Sequence, residues 1–297
     1  MLPTVHVPVM PQEILQHGCM HAGQIWVDGT GGGGGHSRII LERIQPGGRL
    51  LILDRDPAAC LRLEETFDGL ATVRHSSYHN LSQVLSDLAW PTVDGIVLDL
   101  GLSSDQLSDR DRGFSFQTEG DLDMRYDTTS GIPAWQWLAR VDERTLADTI
   151  FQFGEERFSR RIAKRIVETR RNSPIRTAAQ LRELIYRSVS GGRPTSCGRR
   201  HGRVDPATRT FQALRIEVNQ ELEILQKALK LLPNCLAPCG RLMVISFHSL
   251  EDRLTKVAFR EDGRLKVITR KPIQATEEEI ASNPRSRSAK LRVAQRV

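Results

Sequence analysis

Short continuous apolar runs alternate with amphipathic stretches along the first third of the chain. Strands are expected at residues 25–27, 49–53, 71–74 and 95–98, because strands of a parallel sheet are buried on both faces and lose the polar alternation of a half-exposed strand. Between the first two, HSRIILERI has helical spacing. The repeated strand and helix predict an α/β fold, a doubly wound sheet, over residues 22–108. From Asp109 the pattern changes to a loop, DRDRGFSFQTEGDLDMRYDTTSGI, followed by helical segments near 133–140, 143–153, 155–171 and 177–190. In the third of these, Phe158, Ile162 and Ile166 fall at i, i+4 and i+8, so that face packs, while Arg157, Arg161, Lys164 and Arg165 point elsewhere. SGGRPTSCGRRHGRVDP has neither period and reads as a mobile basic loop. After Pro206 a helix runs through FQALRIEVNQELEILQKALKLL and stops before Pro233. CGRLMVISFHS then reads as a buried strand, and KVITRK with AKLRVAQR as a closing strand pair. The expected organisation is an outer α/β domain, residues 1–108 and 206–297, interrupted by an all-helical insertion, residues 109–205.

The junction of the first strand and first helix carries the chemistry. IWVDGTGGGGGHS leads from an apolar run through Asp28 into a glycine turn and a helix start. That order aims unpaired backbone N–H groups at whatever lies above the strand ends, and glycine lets the chain approach closely. The second strand ends in Asp54, about 20 residues on, where such folds place an acid on a ribose. The fourth ends in Asp99. Dehydrogenases and methyltransferases share this layout. An acid directly before the glycines suits the methionine ammonium of S-adenosylmethionine, whereas a dinucleotide needs its helix N-terminus free for pyrophosphate; the residues alone leave both readings open.

Composition narrows the partners. The 297 residues are 39% hydrophobic, enough for a substantial core. No apolar run approaches the roughly 18 residues needed to cross a bilayer, and MLPTVHVPVMPQEIL has neither a signal-peptide nor a presequence pattern. The five cysteines, Cys19, Cys60, Cys197, Cys235 and Cys239, form no C-x-x-C, and the eight histidines are scattered. No disulfide framework and no metal is expected, and a cytoplasmic location fits a reduced chain. The formal charge of +6 is unevenly spread: residues 157–203 hold fourteen Lys and Arg against two acids, Glu168 and Glu183. Such concentration is expected of a surface that meets phosphates.

Several separated motifs together resemble one family. HVPVM, VDGTGGGGGHS, LDRDP, LDLGLSSDQL, RGFSF, LDMR, FGEERFSRRIA, PATRTFQALRI, ISFHSLEDR and NPRSRSAKLR make the chain similar, over nearly its full length, to the bacterial 16S ribosomal RNA cytosine-N4 methyltransferases. The resemblance implies a class I S-adenosylmethionine-dependent methyltransferase fold, Rossmann-like, with an inserted helical domain. It also implies methylation of a cytosine amine in the decoding region of 16S ribosomal RNA or the small ribosomal subunit. It places cofactor contacts at Gly34, Gly35, His36, Asp54, Tyr78, Asp99 and Gln106. In that scheme Gly34 and Gly35 close over the methionine part, Asp54 accepts from the ribose hydroxyls, Tyr78 packs beside adenine, and Asp99 and Gln106 bond polar edges. The chain departs from the family where Gly31 and Gly33 replace an aromatic and a basic residue, Tyr78 a phenylalanine and Asp105 a proline. A more mobile glycine loop and weaker donor binding are the expected consequences.

A cytosine amine is a poor nucleophile, so a group that accepts its proton should assist transfer. Many amino methyltransferases use Asp/Asn-Pro-Pro-aromatic after the fourth strand; here DLGLSS stands there. The proton acceptor therefore stays open, with Asp99 and His248 as catalytic candidates, while Glu251 and Asp252 are read as caps of the next helix. Arg160, Arg161, Lys164, Arg165 and the arginines around Arg199 are the expected RNA-binding residues, with NPRSRSAKLR as a second basic segment. The alternatives are a methyltransferase of another RNA position or base, a non-catalytic ribosome-assembly factor, and an NAD-dependent enzyme. A homodimer is compatible with the chain, whose oligomeric state the residues leave open.

Overall fold

A computed structural model describes residues 7–116, 120–189 and 205–297. Arg199, Cys197, most of the expected basic loop and His6, the first residue of HVPVM, lie outside this set. The chain divides into two compact units, residues 1–104 with 222–297 and residues 105–221. In chain order the elements are α1 (Pro11–Gly18), β1 (Ile25–Asp28), α2 (Gly35–Ile44), β2 (Arg49–Asp54), α3 (Pro57–Thr66), β3 (Thr72–His75), α4 (Leu81–Asp87) and β4 (Val93–Asp99). There follow α5 (Ser104–Ser108), α6 (Ala134–Arg140), α7 (Glu143–Gly154), α8 (Ser159–Arg170), α9 (Ala178–Val189), α10 (Pro206–Asn219) and α11 (Glu221–Cys235). The chain then returns through β5 (Leu236–Ser246), α12 (Ser249–Glu261), β6 (Leu265–Val267), β7 (Ile273–Gln274), α13 (Glu277–Ser282) and β8 (Lys290–Arg296).

The first unit is built on one sheet in the order β3-β2-β1-β4-β5-β8-β6, with β7 also on β8. β1 to β5 are parallel, and β8 runs antiparallel between β5 and β6. This is the doubly wound class I methyltransferase sheet that the sequence predicts, closed by the expected antiparallel pair. Successive strand residues face opposite sides. Val27, Leu51, Leu53, Ile96, Leu98, Leu242 and Val244 pack with α4 and α11 residues such as Leu85 and Leu225. Trp26, Leu50, Ile52, Val97, Met243 and Ile245 pack with Ile14, Ile40, Ile44 and Leu63 of α1, α2 and α3.

In the second unit α7 packs on α8 and α10, and α9 on α8 and α10. The outer domain was expected to resume at 206, yet α10 belongs to this helical unit because its Phe211 and Leu214 are buried against those neighbours. The single helix expected after Pro206 is two, broken where Gln220 takes φ 52°, and Pro233 lies inside α11 instead of beyond its end. The helix expected from 155 starts at Ser159, since Glu155, at φ 50°, terminates α7. The long loop before α6 is fixed by Asn219, which accepts from Tyr126 N–H at 2.6 Å and donates to the Met124 carbonyl at 2.7 Å. Glu221 receives a two-pronged bond from Arg215 at 2.8 and 2.9 Å.

Trp26 is fully buried beside Gly95, its neighbour across β1 and β4. A Cβ on Gly95 would stand 2.3–2.5 Å from three atoms of the indole ring, so the ring uses the space a side chain would take. Gly95→Ala is expected to destabilise the first unit by about 1–3 kcal/mol through overpacking. A calorimetric Tm unchanged from wild type would show that Trp26 yields freely.

Candidate active site

Asp28, Asp54 and Asp99 terminate β1, β2 and β4, which lie side by side in the sheet. In open α/β sheets ligands bind outside the carboxyl ends of such strands, where the winding reverses. Here the reversal falls between β1 and β4. Asp28 is fully buried; its Oδ2 accepts from Ser37 Oγ at 2.6 Å and its Oδ1 from Thr30 N–H at 3.1 Å. It thus ties the start of the glycine loop to the first turn of α2. Gly31 N–H donates to the Leu53 carbonyl at 2.9 Å, Gly32 N–H to Asp54 Oδ2 at 2.7 Å, and Gly34 N–H to the Gly31 carbonyl at 2.8 Å. Gly34 caps α2 at φ 78°, with Phe67 2.8 Å from where a Cβ would stand, so this position needs glycine for both backbone and space. Gly35 opens the helix. At Gly31, where the resembled family carries an aromatic residue, Ile52 and Leu63 lie 2.6 Å from a would-be Cβ and fill the place.

Asp54 Oδ1 accepts from Asp56 N–H at 2.7 Å. The cap of α3 is Asp56, which accepts from Ala58 N–H at 3.0 Å, so Asp54 is not spent on that helix. Burial pushes Asp54 up from the usual carboxylate range to about 6, against the lowering effect of its two N–H donors. Burial likewise pushes Asp99 up to about 6; His36 and Arg285 oppose the rise, and Asp28 and Glu251 add to it. Asp99 Oδ1 is buried without a hydrogen-bond partner among the described residues, while Asp99 N–H donates to Thr30 Oγ1 at 2.7 Å. His36 is buried with Nε2 2.8 Å from the Val9 carbonyl. A carbonyl only accepts, so Nε2 carries hydrogen, and Nδ1 faces Asp99 Oδ2 at 3.6 Å.

The other sequence-derived residues take varied places. Tyr78 opens a 3-10 turn after β3 and is buried in the core with Leu98 and Leu100. Gln106 lies in α5, in the second unit, and is buried. His248 caps α12: its Nε2 is 3.1 Å from Glu251 Oε1, and Glu251 Oε2 accepts from the N–H groups of Phe247 and His248 at 2.9 and 3.3 Å. Asp252, read as a cap, instead pairs with Arg292 at 2.6 Å and Lys290 at 3.6 Å. Arg160, Arg161, Lys164 and Arg165 are exposed on α8, whose Ile162 and Ile166 are fully buried. Phe158 is half-buried between Arg157 and Arg161, whose guanidinium carbons lie 4.6 and 5.4 Å from its ring centre. Thr30, Ser37 and Arg285 were not singled out in the sequence; a hydroxyl beside or within the glycine loop is the signal that marks the first two.

Both Asp54 and Asp99 bind protons more readily folded than unfolded, so their contribution to stability falls as pH rises from about 4 through 6. A ligand that bonds the carboxylate form shows the opposite trend. Affinity for S-adenosylmethionine is expected to weaken as pH falls below about 6. Asp54→Asn should bind about 10- to 100-fold more weakly at pH 7.5, the loss expected for hydrogen bonds to a charged group. Calorimetric titration giving wild-type affinity for this variant would remove Asp54 from the site.

The sequence pattern of the MraW methylase family matches residues 3–297. A ribosomal RNA small subunit methyltransferase H of Rhodopirellula baltica is 47% identical over 306 residues, covering 99% of this chain and 92% of that protein. Proteins of the same name from Syntrophotalea carbinolica, 44% identical over 98% of both chains, and Synechococcus elongatus, 47% identical over 98% of this chain and 95% of that one, are similarly related. With that pattern spanning residues 3–297 and relatives 44–47% identical over nearly the whole chain, the chain belongs to the MraW methylase family.

Proposed function

We propose that this protein transfers the methyl group of S-adenosylmethionine to the exocyclic N4 of a cytosine in the decoding region of 16S ribosomal RNA. The observation that carries the reading is the meeting of Asp54, the unpartnered oxygen of Asp99 and the N-terminus of α2 at one edge of the sheet, in a chain whose relatives are named as ribosomal RNA methyltransferases. These groups fit the donor. Asp54 can accept ribose hydroxyls, Gly34 and Gly35 bring backbone close to the methionine part, and His36 holds the first turn of α2 in place.

Bound S-adenosylmethionine supplies an electrophilic methyl group on sulfur. The chain's task is to hold the cytosine amine in line with it and to receive a proton. We assign that proton to Asp99: Oδ1 has no other partner among the described residues, and a pKa of about 6 leaves the group largely ionised near neutrality yet able to accept. His248 lies at the start of α12, its Nε2 3.1 Å from Glu251 Oε1, and among the described residues neither ring nitrogen makes a hydrogen bond; Asp99 is preferred because it ends β4 against the glycine turn, its N–H on Thr30 Oγ1. The exposed cations of α8 are assigned to RNA phosphates, whose contacts give affinity with little base selectivity. A small ribosomal subunit or its RNA, in the cytoplasm, is the substrate this reading requires. Among the described residues no helix is long and apolar enough to cross a membrane.

The test is incubation with radiolabelled S-adenosylmethionine and small subunits from cells lacking their own enzyme, followed by nucleoside analysis. Label in N4-methylcytidine is expected; label in another nucleoside would move the activity to another base, and donor binding without label would favour an assembly role. Arg161→Glu with Arg165→Glu should raise the KM for subunits by about tenfold and flatten its salt dependence, with donor affinity unchanged. An unaltered KM would place the RNA elsewhere.

A further inference from the structure

NPRSRSAKLR reads in the sequence as a basic segment for phosphates, but most of its described cations face inward. Lys290 and Arg292 pair with Asp252, and Arg287 is exposed. Arg285 donates through Nη1 to Ser104 Oγ and through Nη2 to the Leu102 carbonyl. The Leu102 carbonyl lies in the loop that follows Asp99 and Ser104 opens α5, so the fork of one guanidinium ties the end of the loop to the start of that helix.

We propose that Arg285 is a positioning residue for methyl transfer, stapling the loop after β4 so that Asp99 is presented to the acceptor amine in one place. The inference rests on the assignment of Asp99 made above. The base of the staple is firm. Arg285 stands in a 3-10 turn, Pro284–Ser288, between two buried residues: Ser286 Oγ donates to the Asn283 carbonyl at 2.8 Å, and Asn283 Nδ2 to the Val7 carbonyl at 3.4 Å. The loop it grips needs such support. Leu100 N–H is fixed to the Ile245 carbonyl at 3.0 Å, but Gly101 follows at φ 105°, a conformation open mainly to glycine, and no proline stiffens the run. Enzymes with a Pro-Pro pair at this point restrict the backbone from within; here the restraint comes from a side chain 181 residues away from Ser104. The loop also abuts the glycine turn, with Ser103 Cβ 3.5 Å from a would-be Cβ on Gly32.

Arg285 acts on Asp99 through charge as well. Facing Asp99 are His36 from α2 and Arg285, which favour its carboxylate, and Asp28 from β1 and Glu251 from α12, which oppose it. Fork and charge separate by substitution, because lysine keeps the charge and cannot make two parallel bonds.

The test measures kcat, the donor KM and the pH profile for wild type, Arg285→Ala, Arg285→Lys and Ser104→Ala on the same subunits, with Tm recorded for each. Arg285→Ala is expected to lower kcat by about 100-fold, as small misplacements near reacting groups do. Its donor KM should change less than about threefold and the acid limb of kcat should move to higher pH. Arg285→Lys should leave that limb in place but still lose about tenfold in kcat, and Ser104→Ala should lose less with the limb unmoved. The last two variants keep the question open to decision if Arg285→Ala fails to fold. Wild-type kcat in Arg285→Ala, or full recovery in Arg285→Lys, would overturn the staple. A loss confined to the RNA KM and diminished by salt would return Arg285 to phosphate binding and also overturn it. A wild-type enzyme that transfers no methyl would defeat the methyltransferase reading instead.

Discussion

Carboxylates held at the ends of neighbouring parallel strands are the constraint on which the site depends. Each would be costly to bury alone, and each is given a partner that also shapes the site. Asp28 takes Ser37 and Thr30 and so fixes both ends of the glycine turn. Asp54 takes Gly32 and Asp56 N–H groups, and Asp99 faces His36. The remaining imbalance appears as two acids that titrate near 6. Asp54, which holds the glycine turn through Gly32, is also the acid proposed above for the donor's ribose.

The two units differ in build. The first unit supplies the sheet edge, where rigid strands fix polar atoms more closely than loops can. The second supplies helices whose apolar sides pair with one another and whose outer side, on α8, is cationic. Its long entry loop is tied by Asn219 to the end of α10, which also explains why α10 belongs with the helical unit.

The strands, the glycine turn and the three acids at strand ends were legible in the sequence, because burial on both faces and a helix N-terminus leave strong local signatures. So was the cationic side of α8. Local pattern could not separate Asp54 from Asp56 as the cap of α3, since both precede Pro57, nor foresee the break at Gln220 within a continuous helical period. It misread Arg285, Arg292 and Asp252, whose partners lie 38 or more residues away and meet them only in the folded chain. A basic run has one composition whether it faces phosphate or a carboxylate of its own chain.

The account turns on donor binding to the ionised form of the buried acids, and proton release on binding reports that directly. Calorimetric titration with S-adenosylmethionine at pH 6, repeated in buffers of different ionisation enthalpy, gives the number of protons exchanged. With Asp54 near half-protonation at that pH, release of about half a proton per donor is predicted, declining toward zero by pH 8. Binding with no proton exchange at pH 6, or with uptake, would contradict the account.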